Sequence, residues 1–222
     1  MVPLSILLPS RCGVCELPGP GLCGRCRSQL VRVGPTGCAR CGAPGPWPVE
    51  RCVECVGRRL AFTRARAALV YDGSTRALVA RWKEQGRRDL ARQLAEVVIE
   101  CVSQPEADAV TFVPGDRERG LRRGHVPAEG LARALARAWS MPVAGLLTRT
   151  GVGETKRQAS LPRAARRGNV SGAFACSLAA PSRMVLVDDV YTTGATVAAC
   201  ATELRRAGAK RVEVVCLARA VR

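Results

Sequence analysis

Aromatic residues are scarce in this chain. Three Trp, two Tyr and three Phe are spread over 222 residues, so the core must be packed with aliphatic side chains, and base stacking on successive aromatics has little to work with. Lysine is nearly absent too: Lys83, Lys156 and Lys210 are the only three, and His125 is the single histidine. No stretch approaches the roughly 18 consecutive apolar residues of a membrane span. The opening MVPLSILLPSRC is mildly apolar, but it lacks a basic leader and its apolar run is too short for a signal peptide. Nothing matches the nucleoside-triphosphate loop G-x-x-x-x-G-K-[ST]. These absences predict a cytoplasmic chain with reduced thiols, in which disulfides are the weaker explanation for cysteine.

What is present is apolar enough to build a core, at 47% hydrophobic residues, with length for one good domain and a small module. The net charge is +17 with a pI near 10.4. That excess points to polyanionic partners. Because arginine supplies 32 of the 35 basic residues, GC-rich codon bias explains part of it, and composition alone does not choose between the two.

Eight of twelve cysteines fall in the first quarter, all in C-x-x-C pairs: Cys12/Cys15, Cys23/Cys26, Cys38/Cys41 and Cys52/Cys55. Residues 11–60 are rich in Gly and Pro and show little hydrophobic periodicity, so they need a staple. Each pair puts two thiols on one knuckle, with Gly13, Gly24 and Gly42 giving backbone freedom. Two knuckles complete a tetrahedral four-thiolate zinc site. The simplest grouping joins Cys12, Cys15, Cys23 and Cys26 on one zinc and Cys38, Cys41, Cys52 and Cys55 on another, and an interleaved pairing is open. Cys101, Cys176, Cys200 and Cys216 lie in apolar runs and read as small core residues. Gly19 to Gly24 fits G-x-G-x-x-G, but without a strand before it or a helix after it the match is discarded.

From residue 61 onward strands and helices alternate. Strands are expected at 66–71, 109–113, 143–147 and 212–217, and helices at 75–82, 89–102 and 128–139. Residues 149–169 form a long, polar, basic loop of the kind that closes over sites. Such alternation predicts a mostly parallel sheet with helices on both faces, and ligands in such sheets bind at the carboxyl ends of strands. Two stretches exit there: Val113-Pro114-Gly115-Asp116-Arg117, and MVLVDDVYTTGATV from Met184 to Val197. In the second, an apolar strand leads into Asp188 and Asp189, then a turn of Tyr191, Thr192, Thr193, Gly194, Ala195 and Thr196, then a helix from Val197 to Ala207. Peptide N–H groups at a helix start, with threonine hydroxyls, make a nest for a phosphate. Gly194 lets the backbone come close. Two carboxylates before it accept hydrogen bonds from a vicinal diol. Together they describe a site for ribose 5-phosphate. An Asp-Asp magnesium site and plain helix capping are the competing readings, and the threonine run favours the first.

This stretch resembles the 5-phosphoribosyl 1-diphosphate (PRPP) motif of type I phosphoribosyltransferases. The resemblance implies that Asp188 and Asp189 hold the ribose hydroxyls, that Thr192 to Thr196 hold the 5-phosphate, and that Val113 to Arg117 form the pyrophosphate loop, with Mg2+ accompanying PRPP. It implies further that Lys156 and Arg157 are the groups that close over the diphosphate. The whole chain is similar to the ComF family, in which a four-knuckle zinc module precedes such a domain. That similarity covers nearly all of residues 10–219. It is carried by the cysteine pairs, Trp82-Lys83 with Gly86, Arg123-Gly124 before an alanine-rich helix, and Gln158, Leu161, Arg163, Arg166, Asn169 and Phe174. It implies a type I phosphoribosyltransferase fold over residues 61–222 behind a double zinc ribbon at 1–60. It also implies a role in natural transformation, with single-stranded DNA, competence-machinery proteins and a second copy of the chain as candidate partners. Where many members follow Arg-Gly with Phe-Asn-Gln, this chain has His125-Val126-Pro127. The acceptor is not legible, and a binding protein without turnover is the alternative to a transferase.

Overall fold

The structure is a computed structural model and describes residues 10–116, 124–150 and 172–221. Within these, α1 (Gly24–Gln29) belongs to the cysteine-rich segment. Then follow β1 (Arg64–Val70), α2 (Gly73–Glu84), α3 (Leu90–Cys101), β2 (Ala109–Phe112), α4 (Pro127–Ala138), β3 (Leu147–Arg149), β4 (Phe174–Cys176), β5 (Arg183–Tyr191), α5 (Ala195–Arg206) and β6 (Arg211–Arg219). The main sheet has the order β1-β6-β5-β2, and every pairing in it is parallel.

Period-two alternation in β5 and β6 feeds two apolar layers. Val185, Val187, Val215 and Leu217 face Leu78, Trp82, Leu94, Val98, Leu131 and Leu135 from α2, α3 and α4. Met184, Leu186, Val212, Val214 and Cys216 face Val197, Cys200, Ala201 and Leu204 of α5. The predicted stripe on α3 is fully covered at Leu90, Leu94, Val97 and Val98. Cys200 and Cys216 are core residues as expected, while Cys101 and Cys176 are only half-buried.

Three local expectations differ from what is seen. The strand expected at 143–147 contributes a single parallel bridge, Val143 to Val110. The chain then turns away after Gly145, and Leu147–Arg149 pairs antiparallel with Phe174–Cys176 instead. Tyr191 belongs to β5, not to the turn, because the pairing of β5 with β6 runs on to Tyr191 and Arg219. The last helix starts at Ala195, two residues early, which shortens the loop to Thr192–Gly194.

Residues 10–60 pack directly on the sheet. The backbone N–H of Val33 donates to Ala68 O and that of Val70 to Val31 O, both at 2.8 Å. This antiparallel stretch covers the open side of β1, which would otherwise be an unpaired edge. Cys12, Leu22, Cys26 and Leu30 share one buried cluster with Leu78, Leu90 and Leu94. Gly42 adopts φ +66, and an added Cβ would meet Ala65 O at 2.7 Å, so this knuckle touches β1 only with glycine there. The expectation for Gly24 is not met, since it opens α1 with free space around it.

Candidate functional site

The site is made by unequal strand lengths. β2 pairs with β5 only as far as Phe112 opposite Val187, and the last bond on that side is Val113 N–H to Val187 O at 2.9 Å. β6 stays paired with β5 to the end. The next residues of β5, Asp188, Asp189 and Val190, are therefore half-buried rather than enclosed. They open on the side where Val113-Pro114-Gly115-Asp116 leaves the sheet. That loop rests on α4's lead-in, because an added Cβ on Gly115 would lie 3.2 Å from Val126.

Successive strand residues point to opposite faces, so the two carboxylates have different surroundings. Asp189 meets α2: its Oδ2 lies 2.5 Å from Lys83 Nζ. Asp188 Oδ1 accepts the Asp189 backbone N–H at 2.9 Å. Burial raises the Asp188 pKa well above the usual carboxylate range and the Asp189 charge raises it further, while Lys83 pulls it down. Asp188 thus gives up its proton less readily than an exposed aspartate.

Gly194, with φ +71, stands just before α5 in the left-handed region, and it has no side chain to cap the helix. Thr193 Oγ1 accepts the Ala195 N–H at 3.3 Å. There is no acidic residue in the first turn of α5, so the helix end keeps its positive character. A Cβ on Gly194 would fall 2.1 Å from the Tyr191 hydroxyl. Both backbone angle and space therefore demand glycine. That hydroxyl is buried without a hydrogen-bond partner among the described residues.

The structure thus brings Asp188, Asp189, Thr192, Thr193, Gly194, Ala195 and Thr196 together with the start of the 113–116 loop. Arg117, Lys156, Arg157 and most of the basic loop lie outside the described residues. His125 is at the same end of the molecule, its Nε2 3.0 Å from Trp82 O, one residue from Lys83. Lys83 itself was visible in the sequence only as part of a family motif, without a role. One signal marks it: lysine is almost unused here, and one of the three present pairs with a site carboxylate. Arg58 and Arg219 also reach the loop, donating to Thr193 O at 3.1 Å and to Thr192 O at 3.4 Å.

The eight paired cysteines gather as consecutive pairs. Cys12, Cys15, Cys23 and Cys26 form one group and Cys38, Cys41, Cys52 and Cys55 the other, with the sulfurs of each within 4.8 Å of one another. The Cys15–Cys23 and Cys38–Cys55 sulfur distances are both 3.9 Å, and Cys41–Cys52 is 3.6 Å. Zinc–sulfur bonds of about 2.3 Å in a tetrahedron put sulfurs about 3.8 Å apart, so both groups fit that ion. Burial works against the Cys38 thiolate, yet backbone N–H groups of Cys41, Cys52 and Arg40 outweigh it and lower its pKa to about 7. The same balance lowers Cys12 to about 6. Their neighbours go the other way: burial raises Cys41 to about 11 and, with the adjacent thiols, Cys26 to about 12, so metal binding must release protons from these groups.

Residues 121–221 match the family model of the phosphoribosyl transferase domain. The chain is 31% identical to the DNA utilization protein YhgH of Salmonella typhi, over 96% of this chain and 99% of that one. It is 28% identical to competence protein F of Haemophilus influenzae, over 90% and 91%. It is 27% identical to competence protein ComFC of Streptococcus pneumoniae, over 89% and 87%. Among solved structures it is similar to the glutamine PRPP amidotransferase of B. subtilis in complex with ADP and GMP, at 29% identity and a TM-score of 0.39, covering 59% of this chain and 26% of that one. A near end-to-end match at this identity, with two four-cysteine groups ahead of a type I phosphoribosyltransferase fold, means that the chain belongs to the ComF family.

Proposed function

We propose that this chain binds PRPP with Mg2+ in the cleft at the carboxyl end of β5 and acts on DNA taken up into the cytoplasm. The observation that carries the reading is two adjacent carboxylates, one paired with Lys83, followed at the end of β5 by a left-handed glycine loop and a helix start with no acidic residue in its first turn. Asp188 and Asp189 accept the ribose 2- and 3-hydroxyls. The N–H groups and hydroxyls of Thr192 to Thr196 take the 5-phosphate. Val113 to Arg117 form the diphosphate loop, and Lys156 and Arg157 close over it. Mg2+ bound together with PRPP would supply positive charge that offsets the charge of the diphosphate. Lys83 keeps Asp189 compensated until the diol arrives, which avoids an unpaired half-buried charge.

The division into residues 1–60, holding two structural zinc ions, and residues 61–222, holding the cleft, is part of the proposal. A cytoplasmic setting is supported by twelve free cysteines. Among the described residues no helix is long and apolar enough to cross a membrane. If transfer occurs, catalysis rests on positioning and on charge compensation as diphosphate leaves the ribose. A second reading, nucleic-acid binding with the cleft as a sensor, is favoured by the +17 charge. The names of the relatives, a DNA utilization protein and two competence proteins, support a DNA-related role in either case.

In titration calorimetry, Asp189→Asn is expected to weaken PRPP–Mg2+ binding about ten- to a hundredfold, the range for losing a charged hydrogen bond, and Asp188→Asn to weaken it by a smaller factor, since burial favours the neutral form of that carboxyl. Wild-type affinity in both would remove the diol assignment.

The Asp188 shift also makes stability depend on pH. Its pKa rises from 3.8 in the unfolded chain to about 8 in the fold. Between those values the folded state holds the extra proton, so stability is full at the acid end and is lost as pH rises through the upper value. Urea midpoints at about pH 5 and about pH 9 should fall further in wild type than in Asp188→Asn, and equal slopes would contradict the shift.

For the DNA reading, single-strand affinity measured by fluorescence anisotropy should fall about tenfold or more between roughly 50 and 200 mM salt. A flat response would remove it.

A further inference from the structure

Arg219 ends β6, yet it is only 2% exposed. Parallel pairing sets it between Val70 and Tyr191. Its Nη2 donates to Cys41 Sγ at 3.3 Å and to Glu54 Oε2 at 3.4 Å. Its Nη1 donates to Thr192 O at 3.4 Å. The guanidinium carbon sits 4.1 Å from the centre of the Tyr191 ring, close enough for a cation–π contact. The hydroxyl of that same tyrosine lies against Gly194. Arg58, three residues beyond Cys55, donates to Thr193 O at 3.1 Å and also to Glu54 O at 3.4 Å. Arg219 therefore joins Thr192 directly to the second cysteine cluster, Arg58 ties Thr193 to the segment beside it, and Gly194 rests on the tyrosine that Arg219 packs against. The first cluster is attached elsewhere. Arg81 of α2 donates to Gly13 O and Val14 O, and Arg27 pairs with Glu96 and Glu100 of α3.

We propose that Arg219 is a positioning residue that couples metal binding at Cys38, Cys41, Cys52 and Cys55 to the anion-accepting shape of the Thr192–Gly194 loop. The coupling rests on the reading of that loop as a phosphate site. Four thiolates drawn to one ion fix the Cys41 sulfur in place and leave the cluster net negative. The buried guanidinium gains a fixed counter-charge there and holds the Thr192 carbonyl and the Tyr191 ring on its other side. Without the ion the four sulfurs lose their common centre, Arg219 loses one of its two anionic contacts, and the tethers on the loop slacken. Coupling of this kind is reciprocal. A phosphate ligand seated in the loop makes the second cluster hold its metal more tightly, and leaves the first cluster unaffected.

The test uses the full chain loaded with zinc in both clusters, ribose 5-phosphate as the probe, and a chromogenic zinc chelator. Binding of the probe is measured separately by calorimetry. With saturating ribose 5-phosphate, the chelator concentration that withdraws one zinc equivalent at equilibrium should rise about fivefold or more, the low end of common coupling strengths, and that for the other should not change. The tightened equivalent should persist in Cys15→Ser, which disables the first cluster. In Arg219→Gln the tightening should vanish, and Arg219→Lys should restore part of it. If the probe binds but the chelator withdraws zinc from both clusters at the same concentrations with and without it, or both tighten equally, the coupling is overturned while the phosphate-loop reading stands. If the probe gives no binding heat, both fall. Should Arg219→Gln fail to fold, the wild-type comparison decides alone.

Discussion

The structure depends on β5 outlasting β2. A parallel strand flanked on both sides is closed by its neighbours, and its polar groups have no outlet. Here one neighbour stops opposite Val187 while the other continues to Tyr191. The two residues that follow Val187 are aspartates, at the only place along β5 where a charge reaches a cleft without leaving the sheet. Their cost in desolvation is met unequally. Asp189 has Lys83, and Asp188 is left with a backbone N–H and a raised pKa. A site poised in this way gains most from a ligand that brings hydroxyl donors to both carboxylates.

The loop behind the carboxylates is shaped from below rather than from within. Gly194 is forced into the left-handed region over the Tyr191 hydroxyl, and the carbonyls of Thr192 and Thr193 are held by Arg219 and Arg58. Tying down the carbonyls gives the loop an anion-binding polarity, with the Ala195 N–H shared with Thr193 Oγ1. The cysteine-rich segment therefore does two jobs. Its first half closes the β1 edge and packs Leu22 and Leu30 into the α2–α3 core. Its second half supplies the floor on which the loop rests.

The strand, the two carboxylates and the turn into a helix were legible in residues 184–197, because an apolar run ahead of a glycine-threonine turn reads as strand and then helix; magnesium binding and helix capping competed as readings of what the turn does. The alternation of strands and helices was legible for the same reason, since periodicity survives without tertiary knowledge. The consecutive grouping of cysteines was the simplest reading and is the one seen. Lys83 and Arg219 were not legible as site residues. Each acts across more than 100 residues of sequence, and a lysine on an amphipathic helix or an arginine closing a strand looks like solvated surface. The strand expected at 143–147 is cut short because the chain turns there, the Leu146 N–H donating back to Ala144 O. Only Val143 meets β2 there, and the pairing moves to 147–149.

A crystal structure of the chain grown with PRPP and Mg2+ would show whether the end of β5 is a ribose-phosphate site. In it the 5-phosphate should lie against the N–H groups of residues 192–196 and the ribose hydroxyls on Asp188 and Asp189, with Lys83 released from Asp189. A ligand bound elsewhere, or a cleft still closed by the Lys83–Asp189 pair at saturating PRPP, would contradict that assignment.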